Sequence, residues 1–123
     1  MTDAFDFRTS VAYDDVRKCE FHRLARRQLG RLAKALDLPS GSYDLRSNMA
    51  GIAVSGEITL HAARVYVQTS QPFGGFDSGI LIRICNGRKD YVGGPNNFAS
   101  LDLLHEPVTL ARVVKQATHG DRS

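Results

Sequence analysis

The spacing of apolar positions changes twice along the chain, dividing it into a long helix, a run of strands and a closing helix. Phe21, Leu24, Ala25, Leu29, Leu32 and Leu36 recur three to five residues apart. At about 100° per residue they make one apolar stripe. Asp14 or Asp15 supplies an N-cap, because its carboxylate can accept from the orphan amides of a first turn. Pro39-Ser40-Gly41 ends the segment, so the pattern predicts a helix to about Leu38. Gly30 weakens that helix by roughly 1 kcal/mol without forbidding it.

From Tyr43 the period becomes two. Residues 43–47 read as a short strand. Ile52, Val54, Ile58 and Leu60 then alternate with Ala53, Ser55, Glu57 and Thr59, the pattern of a strand with one buried and one wet face. Gly56 falls on the apolar side, where it marks a bulge or a close approach of the helix. Residues 61–64 read as a turn, 65–68 as a strand and 71–78 as a flexible loop. In 80–85, Ile80, Ile82 and Ile84 face one way and Leu81, Arg83 and Cys85 the other. Asn86-Gly87 is a hairpin signal, since a type I′ turn needs positive φ at both central residues, and it predicts a return strand over 88–92. Ser100 caps a short helix through His105. Pro107 opens a last helix over 108–117, with Leu110, Val113 and Val114 on its inner face. Residues 1–12 read as loosely ordered, although Phe5, Phe7 and Val11 can dock on a core, and 119–123 as a disordered tail. The result is a single α+β domain over 13–118: an antiparallel meander of about five strands covered on one face by the long helix, with a short C-terminal helix.

Composition narrows the class. The chain has 123 residues, 42% hydrophobic and 24% charged, as expected of one globular domain. No apolar run approaches the ~20 residues that span a bilayer, and the N-terminus lacks the apolar core of a secretory signal, so a cytoplasmic protein is expected. Cys19 and Cys85 then read as reduced thiols behaving as small apolar residues. Cys19 and His22 sit three apart, but no spacing in the chain forms a zinc motif, and no metal or cofactor is expected.

Charge is more informative. The net charge is +3, yet 17–34 hold seven Lys/Arg against one acid, Glu20. Arg23, Arg26, Arg27, Arg31 and Lys34 fall opposite the leucine stripe, where they can track a phosphate backbone. A plain solvated helix face competes with that reading. A second candidate surface is the polar side of the sheet. Ser55, Glu57, Thr59, Tyr66, Gln68 and Arg83 are expected to point outward, with Arg88, Lys89, Tyr91 and the Asn96-Asn97-Phe98 loop nearby in sequence. Tyr66 and Tyr91 there can stack a base or anchor a protein partner. Gly93-Gly94-Pro95 reads as a turn before it reads as an anion nest. A small enzyme would need Glu57, His61 and Tyr66 to converge in one cleft, and no nucleophile motif supports it.

The block 42–99 resembles small uncharacterised proteins encoded by proteobacterial phages, plasmids and integrative elements. The resemblance lies in residues 42–48 (SYDLRSN), Gly56-Glu57, Tyr66-Val67-Gln68, and residues 85–91 (CNGRKDY) with Gly93-Gly94 and Asn97-Phe98. It implies a mobile genetic element as the setting, and no activity, cofactor or catalytic residue. Small proteins from such settings often bind nucleic acid or a host nucleoprotein complex. The expectation is therefore a non-catalytic binding protein for nucleic acid or a nucleic-acid-handling complex. The alternatives are a module that inhibits a host defence complex and, last, the small enzyme. A homodimer through an edge strand is compatible with each.

Overall fold

The elements run in the order helix α1 (Asp15–Ala35), strands β1 (Tyr43–Asn48), β2 (Glu57–Ala62), β3 (Val65–Ser70), β4 (Ile80–Ile84) and β5 (Asn97–Ala99), a 3-10 helix (Leu101–His105), and helix α2 (Pro107–His119). This computed structural model describes residues 7, 11–12, 14–49, 55–71, 79–85, 87 and 96–119. The five strands form one antiparallel sheet in sequential order. The α+β meander expected from the alternation is the fold. No helix among the described residues is long and apolar enough to cross a membrane.

Asp14 is the N-cap of α1, its carboxylate accepting from the Arg17 N–H at 3.0 Å. The helix stops before Leu38, and not because of Pro39. Asp37 adopts φ 61°, the Leu38 N–H returns to the Ala33 carbonyl at 2.9 Å, and the Asp37 N–H to Lys34 at 3.0 Å. That pair of bonds is a Schellman closure, which satisfies the last carbonyls with a left-handed residue after the C-cap. The stripe then packs as read. Phe21, Ala25, Leu29 and Leu32 are fully buried, and His22 and Ala33 join them.

The cover of the sheet is two helices rather than one. Leu110 and Val114 of α2 lie in the same core cluster as Leu29 of α1, Ile58 and Leu60 of β2, and Ile80 and Ile82 of β4. The last helix carries Ala111 on its buried side, with Val113 partly buried. Ser100 caps the 3-10 helix by accepting from the Asp102 N–H at 3.3 Å.

Two strand assignments change. β2 starts at Glu57 and runs through His61 and Ala62, so the turn is only Ala63-Arg64. The strand paired with β4 on the side away from β3 is Asn97–Ala99, which the sequence placed in a loop. The expected return strand 88–92 lies outside the described residues, as do Phe5, 50–54, 72–78, 93–95 and 120–123. Cys85, read as a small apolar residue, is buried and donates its thiol to the Ala62 carbonyl at 3.2 Å, whereas Cys19, read the same way, is exposed.

Gly30 has no conformational reason to be glycine. A Cβ there would meet only Leu45 Cδ1, at 3.9 Å, an ordinary contact. Gly30→Ala is therefore expected to stabilise the protein by about 1 kcal/mol through helix propensity, seen as a higher urea midpoint with unchanged slope.

Candidate nucleic-acid interface

α1 carries seven Lys/Arg against Asp15 and Glu20, and α2 adds Arg112 and Lys115 with no acid. Both helices cover one face of the sheet, so this layer holds +7 in a chain whose total is +3. The leucine stripe decides where the cations go. With the stripe on the core, Arg23, Arg26, Arg27, Arg31 and Lys34 are all exposed, as expected, and so are Arg112 and Lys115. Arg23, Arg27 and Arg31 are four apart, so they recur at about 6 Å along one side of the helix.

Little neutralises them. Arg23 makes an exposed pair with Glu20 at 3.9 Å, a contact worth well under 1 kcal/mol. Arg31 donates to Gln28 Oε1 at 2.9 Å. Arg26, Arg27, Lys34, Arg112 and Lys115 make no ion pair among the described residues. The helices contain one Phe, Tyr or Trp, and that residue, Phe21, is fully buried. Among the described residues the two helices therefore offer charge without a stacking platform. Arg112 and Lys115 escaped the sequence reading because they are sparse in their own helix. The signal that finds them is the absence of any acid in residues 107–119.

The outer sheet face is organised differently. Asp44, His61, Tyr66 and Arg83 are register partners in one row across four strands. Arg46 Nη2 donates to His61 Nδ1 at 2.8 Å, so the ring carries its proton on Nε2 and donates it to the Gly87 carbonyl at 2.9 Å. The His61 and Tyr66 rings meet edge to face at 5.1 Å, and the Arg83 guanidinium lies 4.6 Å from the Tyr66 centroid. The Tyr66 hydroxyl donates to Gln68 Oε1 at 2.9 Å. Tyr66, Gln68 and Arg83 are thus brought together as expected, but they engage one another.

Asn96, Asn97 and Phe98 are exposed at the β5 edge, with Phe98 57% exposed opposite Leu81. Arg88, Lys89 and Tyr91 lie outside the described residues. Ser55 and Thr59, expected on this wet face, are buried instead.

The acid-base trio does not assemble. Glu57 sits four residues from His61 on β2, about 13 Å along the strand. Its carboxylate accepts from Asn48 Nδ2 at 3.4 Å. His61 is fully buried with both ring nitrogens engaged. Among the described residues no group of three His, Cys, Asp or Glu could hold a metal ion.

A second polar cluster, unforeseen in the sequence, lies inside the fold. The His22 Nε2–H donates to the Ser55 carbonyl at 2.5 Å, Ser55 Oγ accepts from the Gln71 N–H at 2.8 Å, and the Gln71 side chain bonds Phe7 and Val11. His22 Nδ1 is buried with no hydrogen-bond partner among the described residues. Burial holds this imidazole below its ordinary value; the bond to Ser55 opposes the shift and nearby Lys18 adds to it. Because the folded state disfavours the proton, the unfolded chain binds more of it below a pH of about 6.5. Stability is therefore expected to fall as pH drops through that value towards the lowered folded one, and to gain nothing from His22 above it. His22→Gln, which keeps a donor but cannot titrate, should flatten this segment in urea midpoints measured across a pH series.

Comparison with known protein families, with curated proteins and with solved structures finds no match.

Proposed function

We propose that this protein is a non-catalytic binding protein of a mobile genetic element that grips the phosphate backbone of nucleic acid through its helix layer. One observation carries the reading: +7 is concentrated on two adjacent helices while the rest of the chain sums to −4. Scattered surface charge would not segregate by structural layer. The five cations without ion pairs among the described residues are available to replace condensed counterions. The lack of an exposed Phe, Tyr or Trp within the two helices favours contact with phosphates over reading of bases.

The test is fluorescence anisotropy with a labelled duplex across a salt series. Four or five phosphate contacts predict a log–log slope of about −4 and a loss of several hundredfold between about 50 and 200 mM salt. No binding at low salt, or affinity indifferent to salt, would sink the proposal.

A second reading, a protein-interaction module that inhibits a host defence complex, draws on Phe98, a large ring exposed at the sheet edge. In that case Phe98→Ala abolishes capture of the protein partner, whereas Arg27→Gln leaves it intact.

A further inference from the structure

Among the described residues the sheet has one long edge with no strand beyond it, and its chemistry is complementary to itself. β1 is the terminal strand, six residues long, and pairs with β2 without a bulge from Tyr43↔Ala62 to Asn48↔Glu57. The opposite edge, β5, has three residues. Edges are commonly blunted by proline, lysine or a bulge, and β1 has none of these.

The direction of its backbone groups follows from the ladder. The Ser70 N–H donates to the Gly79 carbonyl at 3.0 Å and the Cys85 N–H to Arg64 at 3.1 Å. Even-numbered residues of β3 therefore face β4, and odd-numbered ones face β2. Following the registers inward, Glu57, Thr59 and His61 of β2 face β1, and Asp44, Arg46 and Asn48 face β2 in return. Tyr43, Leu45 and Ser47 consequently direct their N–H and C=O groups to the open edge.

We propose that β1 is a homodimer interface, in which a second copy of this chain adds its own β1 antiparallel across a two-fold axis through Leu45. Tyr43 then meets Ser47 of the partner subunit, Leu45 meets its own counterpart, and the odd-numbered residues on each side form about six backbone hydrogen bonds. The charges choose this register. Asp44 comes opposite Arg46 of the partner subunit, and Arg46 opposite Asp44 of the partner subunit, at the positions where antiparallel side chains approach most closely. A two-fold centred on Asp44 would oppose two carboxylates, and one centred on Arg46 two guanidinium groups. A one-residue slip between copies would set a core-side residue against a wet-side one. Within one copy Arg46 Nη1 already lies 3.5 Å from Asp44 Oδ2, with both side chains 39% exposed. The dimer would turn that pair into a four-charge cluster of alternating sign. The axis is perpendicular to the sheet, so both helix layers would share one side. The inference does not depend on what those layers bind.

Sedimentation velocity from micromolar to millimolar protein, without nucleic acid, tests it. Wild type is expected to dimerise. Asp44→Arg should weaken the dimer by roughly tenfold, since it opposes like charges in two symmetric pairs. The double variant Asp44→Arg/Arg46→Asp restores opposite signs in the same register and should recover it. Ser47→Pro removes an edge-facing N–H that the β1–β2 ladder does not use, so it should leave circular dichroism unchanged and abolish the dimer. A wild type that stays monomeric to millimolar concentration overturns the proposal, and so does a dimer that survives Ser47→Pro in folded protein.

Discussion

Replacing Gln71 with alanine is expected to destabilise the protein by about 3 kcal/mol, although no charge and little apolar area is lost. The side chain is fully buried and carries two bonds to backbone far away in sequence. Its Oε1 accepts the Val11 N–H at 3.1 Å, and its Nε2 donates to the Phe7 carbonyl at 2.8 Å. Alanine would leave both backbone groups buried without their partner, and each such group costs ~1–3 kcal/mol. It would also loosen apolar packing, because Phe7 and Val11 are buried and Phe7 meets Phe21 edge-on at 5.7 Å. Urea unfolding should show a midpoint lower by roughly 1.5 M, given slopes near 2 kcal/mol/M for small domains. A change below about 1 kcal/mol would mean that the N-terminal segment contributes little.

Gly56→Ala is expected to cost about as much, roughly 3 kcal/mol, for an unrelated reason. Gly56 has φ 71°, a conformation that costs a side-chain-bearing residue about 1 kcal/mol. Space is the larger obstacle. A Cβ would stand 2.3 Å from the Asn48 carbonyl oxygen and 3.0 Å from Met49 Cα, both backbone, and 3.1 Å from His22 Nε2. Backbone at the end of β1 would have to retreat, breaking its pairing with Glu57 and displacing His22 from Ser55. A contrasting substitution separates strain from a general intolerance of change: at Gly41, also at positive φ, a Cβ would meet nothing within 4 Å. Gly41→Ala should therefore lose only the conformational part, about 1 kcal/mol.

Gly56 was legible in part. Its place on the apolar side of an alternating strand pointed to a close approach of the helix, and His22 supplies that approach. The helix was legible because six apolar residues repeat at its period, and the strands because isoleucine and valine alternate. Burial of Ser55, His22 and Gln71 was not. A buried polar side chain leaves no periodic trace, since its partners lie 16 to 64 residues away. The last strand was missed for a different reason. β5 begins at Asn97, and its three residues are too few to show alternation; the return strand that Asn86-Gly87 signals lies outside the described residues. On the basic face, the α1 cations could be placed by their phase against the leucine stripe. The contribution of Arg112 and Lys115 needed the tertiary packing of α2 beside α1.

The helix layer is the proposed binding surface, and the salt slope of its variants is the decisive test of that role. Anisotropy titrations would compare wild type, Arg27→Gln/Arg31→Gln and Phe98→Ala on one duplex. Loss of two phosphate contacts predicts a log–log slope shallower by about 2 for the helix variant. Phe98→Ala should keep the wild-type slope. A helix variant with the wild-type slope, or binding lost with Phe98→Ala, would rule out phosphate contact through the helix layer.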